Sequence, residues 1–141
     1  MNKVILKGTL GCDPKRYIIQ DGGEIAAFIL ATHTLWKEPS EEWEKYTDWH
    51  QVIVFRKTTL KWMQDILKEG DPVYVEGKLS YHQWEDDYGQ TRYNPYIIVL
   101  DQEGCVKQLH PKHPFPQEHF LEEDIPLSSQ SCWTEDPANT Q

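Results

Sequence analysis

The 141-residue chain is 38% hydrophobic and 12% aromatic, enough for one domain's core plus a tail, which excludes both two full cores and global disorder. Its formal net charge of -9 argues at first against a nucleic-acid partner, but residues 1–108 hold 13 Lys+Arg against 17 Asp+Glu, while residues 109–141 hold 1 against 6. The longest apolar run, Ile25 to Ala31, is far shorter than the roughly 18 residues that span a bilayer, and the Met1-Asn2-Lys3 start carries no signal-peptide core. A cytosolic location with no membrane partner is expected, and three widely spaced cysteines (Cys12, Cys105, Cys132) read as free thiols of a reducing compartment.

In chain order, Lys3 to Leu10 reads as a strand closed by Gly11 and Pro14, and Ile25 to Thr34 as a second, apolar enough to be buried on both faces. A hydrophilic segment, Lys37 to Tyr46, reads as a long hairpin loop leading into a third strand, Thr47 to Phe55. Thr58 or Thr59 can cap a short helix running to Leu67, with Leu60, Met63 and Leu67 on one stripe and Gly70 as its C-terminal stop. Pro72 to Tyr81 alternates Val73, Val75 and Leu79 against Tyr74, Glu76 and Lys78, with Gly77 where a tight barrel bend needs a missing side chain. Asp86-Asp-Tyr-Gly89 supplies turn chemistry for a hairpin into a fifth strand, Arg92 to Leu100.

This order predicts an all-β fold, the five-stranded Greek-key OB barrel with one short helix between its third and fourth strands, over residues 1–108. Residues 109–141 contain five of the nine prolines and no sustained periodicity, so they read as a disordered acidic tail.

Six tryptophans are more than such a core needs, and Trp36, Trp43, Trp49 and Trp84 fall at loops or strand ends. Single-stranded nucleic acid is held by bases stacked on aromatic faces while Lys and Arg follow the phosphates, and here Trp36-Lys37, Phe55-Arg56-Lys57, and Lys78 and Arg92 about Trp84 supply both parts.

Those residues, with Asn2-Lys-Val-Ile-Leu, Gly8-Thr-Leu-Gly, Asp13-Pro, Leu30-Ala-Thr, Thr47-Asp-Trp-His, Lys68-Glu-Gly, Val73-Tyr-Val-Glu-Gly and Gly89-Gln-Thr-Arg-Tyr, carry a resemblance to the bacterial single-stranded DNA-binding protein family. The resemblance covers residues 2–100 and implies base stacking on Trp36, Trp49, Phe55 and Trp84. It further implies a cytoplasmic, nucleoid-associated homotetramer acting in replication, recombination and repair, with His50 at a subunit contact. Gln51, Glu69 and Gln83 stand where the family commonly has basic residues, so fewer phosphate contacts are expected.

In the family, an acidic tip ending Ile-Pro-Phe docks on replication and repair proteins. This chain has Glu122-Glu123-Asp124-Ile125-Pro126-Leu127 followed by fourteen more residues, so the docking aromatic and the adjacent terminal carboxylate are both missing.

Other chemistries fit less well. Cys105, His110, His113, His119 and Cys132 match no zinc spacing, so no metal or cofactor is expected. Asp48 and His50 share a strand face but no nucleophile signature accompanies them, so no enzymatic activity is expected. The competing function is a primosome-accessory or protein-interaction OB module without strong binding to single-stranded DNA, its aromatics forming a dimer interface.

Overall fold

A strand buried on both sides has to sit inside a wall, and residues 25–31 are such a strand. In the computed structural model, which describes residues 1–109, Ala26, Phe28 and Leu30 face the main core, while Ile25 and Ala27 join Ile53, Tyr17 and Tyr96 on the outer side. The elements are β1 (Val4–Leu10), β2 (Lys15–Ile18), β3 (Glu24–Lys37), β4 (Trp43–Val54), α1 (Lys57–Ile66), β5 (Pro72–Glu85), β6 (Thr91–Val99) and β7 (Cys105–Gln108).

Five of them close a barrel in the order β1-β3-β4-β6-β5, with β5 returning to β1. Every pairing on this circuit is antiparallel except that between β4 and β6, which is the Greek-key crossing. This is the predicted OB barrel, and α1 lies between its third and fourth strands. Two four-residue strands were not anticipated: β2 pairs with β3, and β7 pairs with β5. Four residues give too little alternation to register as a period. Leu109, just past β7, donates its amide to the Pro72 carbonyl at 2.8 Å.

The interval Lys37 to Tyr46 is not a long loop. β3 and β4 pair without a break from Ala26↔Val54 to Lys37↔Trp43, leaving residues 38–42 as the turn. The hydrophilic composition concealed the strands because neither side of this outer hairpin is buried, so no apolar face marks the period.

Leu60 and Met63 of α1 and Leu67 at its C-cap are buried in the same core cluster as Phe28, Val54 and Val73. The expected threonine caps are not used: Arg56 is the N-cap, and its carbonyl accepts the amides of Thr59 and Leu60. Thr58 and Thr59 both lie inside the helix, past the cap position, and the Thr58 hydroxyl accepts from Arg56 Nε at 3.2 Å. Gly70 lies beyond the helix cap Leu67, in a turn where its amide donates to the Leu10 carbonyl at 2.8 Å and so fastens the post-helix loop to the end of β1.

Barrel closure depends on two close backbone approaches. A Cβ at Gly8 would stand 2.1 Å from the Ala31 carbonyl oxygen, and one at Gly77 would stand 2.6 Å from that of Ile98. Both obstacles are backbone, so neither can swing aside. Gly8→Ala and Gly77→Ala should each destabilise the barrel by about 1–3 kcal/mol, Gly8→Ala more, as read from urea midpoints.

Candidate nucleic-acid interface

The β3–β4 hairpin projects past the barrel, and its unbroken register fixes which side chains share a side. On one side stand Thr32, Thr34 and Trp36 of β3 with Glu44, Tyr46, Asp48 and His50 of β4; on the other stand His33, Leu35 and Lys37 with Trp43, Lys45, Thr47 and Trp49. Trp36 and Trp49, both predicted to stack bases, therefore lie on opposite sides of one ribbon. Trp36 is 60% exposed and faces Glu44. Trp49 is half-buried because its ring lies over Gly11, where a Cβ would come within 2.8 Å of Cζ3.

The β5–β6 hairpin carries the next pair. Trp84, 42% exposed, sits directly opposite Arg92, with Lys78, Ser80, His82 and Tyr96 on the same side of the ladder. Asp86 organises the turn. Its Oδ1 accepts the amides of Tyr88 and Gln90 at 3.0 and 2.9 Å, and its Oδ2 accepts from Arg92 Nε at 2.7 Å. The Gln90 amide foremost, then the Arg92 guanidinium, hold the Asp86 carboxyl below the usual carboxylate range.

Phe55 leaves β4 with its amide bonded to the Val99 carbonyl and its ring 37% exposed, immediately before the basic pair that opens α1. Of that pair, Arg56 is engaged: Nη1 donates to the Gly104 carbonyl at 2.9 Å. Lys57, Lys37 and Lys78 are exposed and form no ion pair among the described residues. Three of the five predicted phosphate-binding cations are thus available, while Arg56 and Arg92 support the fold. Of the three departures from the family, Gln51 is half-buried, Gln83 is exposed, and exposed Glu69 donates its amide to Asp13 Oδ1 at 2.7 Å.

Sequence reasoning assigned no stacking role to five further exposed aromatics among the described residues: Trp43, Tyr46, Tyr81, Tyr88 and Tyr93. Trp43 stood out as a surplus tryptophan, but the loop reading of residues 37–46 hid its place on a strand, which the alternation of Trp43, Lys45, Thr47 and Trp49 could have shown. Tyr81 and Tyr93 share the other side of the β5–β6 hairpin from Trp84. Of the residues considered for a zinc site, Cys105 in β7 directs Sγ to Glu76 Oε2 at 3.7 Å, and the others lie outside the described residues.

His50 is half-buried, with Nε2 2.7 Å from Thr32 Oγ1. Burial lowers its pKa below the usual 6.5, and the nearby Asp48 carboxylate only partly opposes this. The unfolded chain therefore takes up the proton more readily than the folded one, so the stability tied to neutral His50 is complete above about pH 6.5 and declines as the pH falls below it. His50→Asn should flatten the change in urea midpoint between pH 7.5 and pH 5.5 relative to the parent; an identical slope would show that the imidazole titrates freely.

The model for the Single-strand binding protein family matches residues 1–103. A Plasmodium falciparum SSB solved in complex with ssDNA superposes with a TM-score of 0.71 at 31% identity, covering 78% of this chain and 96% of that one. A deletion mutant (delta 228-252, R190A) of the single-stranded DNA binding protein from Thermus aquaticus gives 0.65 at 26% identity, over 79% of this chain but only 52% of the Thermus chain. With barrel, helix and exposed aromatics in place, the chain belongs to the single-strand binding protein family.

Proposed function

We propose that this protein binds single-stranded DNA without sequence preference, stacking bases on Trp36, Trp49, Phe55 and Trp84 while Lys37, Lys57 and Lys78 contact phosphates. The observation that carries the reading is the coexistence, on the two hairpins and the β4–α1 junction, of partly or largely exposed aromatic rings with lysines that no described carboxylate neutralises. Every base offers a π-face, so such a surface is tolerant of sequence. Arg56 and Arg92 contribute as framework, with phosphate contact a secondary role. Protection of single strands during replication, recombination and repair, in the cytoplasm, follows from this reading. No helix among the described residues is long and apolar enough to cross a membrane.

The assembly proposed is a homotetramer with His50 near a subunit contact, supported by the family resemblance. Sedimentation equilibrium should give a mass near four chains, and a monomer at all concentrations would refute it. Docking of replication and repair proteins on Glu122, Glu123, Asp124, Ile125, Pro126 and Leu127 is the remaining element, and that segment lies outside the described residues. Its support is compositional: an acidic run followed by Ile-Pro, with Leu where the family has an aromatic.

Oligo(dT) titration tests the central claim. Tryptophan fluorescence should be strongly quenched, and Trp36→Ala, Trp49→Ala, Phe55→Ala and Trp84→Ala should each cost about 1–3 kcal/mol of binding. Three available lysines at about 0.7 per contact predict a log K against log salt slope of about -2 per chain. Weak quenching, with all four variants like the parent, would instead favour a protein-interaction module.

A further inference from the structure

The tip of the β3–β4 hairpin holds two exposed tryptophans, and the ladder separates them by charge. Trp36 shares its side with Glu44 directly opposite, with Asp48, and with Tyr46, whose hydroxyl donates to Glu44 Oε2 at 2.9 Å and lies 3.2 Å from Glu38 Oε1. That side is acidic. Trp43 is 67% exposed and stands directly opposite Lys37, with Lys45 two residues along on the same side. That side is cationic, and Trp49 continues it six residues further towards the barrel, about 20 Å at the usual strand rise. Glu41 and Glu42 lie in the turn, outside the ladder.

We infer that Trp43 is a further base-stacking residue, bound to single-stranded DNA on the Lys37 side of the hairpin in continuity with Trp49. The inference rests on the single-strand binding reading and extends it to a residue outside the family's aromatic set. Three observations on the hairpin support it. An indole two-thirds exposed buries little within the chain, so its apolar faces are open to a partner. Lys37, beside it on the ladder, makes no ion pair among the described residues and can meet the phosphate of the nucleotide whose base stacks on the ring. The two sides differ in charge: a base on Trp36 stacks beside Glu44 with no lysine on that side of the ladder, whereas a base on Trp43 stacks beside Lys37.

The hairpin itself does not need the indole. Its tip is closed by backbone bonds, Glu38 N to Glu42 O and Glu41 N to Glu38 O, each 2.9 Å, so Trp43→Ala and Trp43→Tyr should both keep the ladder.

The test uses the full chain and oligo(dT). Trp43→Ala should weaken binding by roughly five-fold or more without changing the salt slope, Trp43→Tyr should restore most of the loss, and Lys37→Gln should reduce the slope by about 0.7. In parallel, an oligonucleotide containing 5-iododeoxyuridine should photo-cross-link to Trp43. If Trp43→Ala binds like the parent while Trp49→Ala and Trp84→Ala lose affinity, the inference fails and the family site stands. If all three bind like the parent, the single-strand binding site itself is misplaced. A loss with Trp43→Ala that Trp43→Tyr does not restore, with no cross-link to residue 43, would also overturn the inference, because it would trace the loss to distortion of the hairpin.

Discussion

The unbroken pairing of β3 with β4 is the constraint on which the rest depends. Its twelve consecutive residue pairs begin inside the barrel, at Ala26↔Val54, and end in solvent at Lys37↔Trp43. Because a strand alternates strictly, the register that directs Phe28, Leu30 and Val52 into the core also decides, without further freedom, that Trp36 and Trp43 part company at the tip. A single bulge in either strand would move that strand's outer residues to the opposite side of the ribbon while its partner's stayed in place, mixing the acidic and cationic sides. The interior therefore holds the exterior in phase.

What the sequence made legible was whatever buried a face. Ile25 to Ala31, the Val73-Val75-Gly77 alternation and the Leu60-Met63-Leu67 stripe all pack where their periodicity puts them. The outer halves of β3 and β4 were illegible for the complementary reason, since a ladder wet on both sides leaves no apolar record. Candidate site residues could be named by type and by family resemblance but not placed by side: Trp36 and Lys37 fell beyond the strand read from Ile25 to Thr34, so their alternation onto opposite sides of a ladder was hidden. The commitments of Arg56 and Arg92 were equally hidden, because Gly104 and the Asp86 turn become their partners only after folding.

Those commitments shape the chemistry left over. The chain has three arginines: Arg16 pairs with Glu24, Arg56 holds the Gly104 carbonyl, and Arg92 holds Asp86. Planar, multidentate guanidinium groups are thus spent on fixed internal geometry, while compact lysine charges on flexible stems face outward. A surface of that kind favours positional tolerance over bidentate clamping. The abundance of exposed rings is its counterpart, since stacking does not depend on the protein's unfavourable net charge.

Closure of the barrel through β1 also has a bearing on how the chain reaches its fold. β1 pairs with β5 over Val4↔Gly77 to Thr9↔Pro72, but with β3 only at Thr9↔Ala31 and Leu10↔Leu30. During synthesis β1 therefore has almost no partner until the segment that starts at Pro72 has emerged. The loop-closure entropy of the intervening chain is charged before the contacts that offset it can form, so folding is governed by long-range encounter and not by local propensity. Until then Val4 and Leu6, which end up packed against the core, have no wall to rest on, and a nascent chain stalled before Pro72 presents an unpaired strand edge to its neighbours.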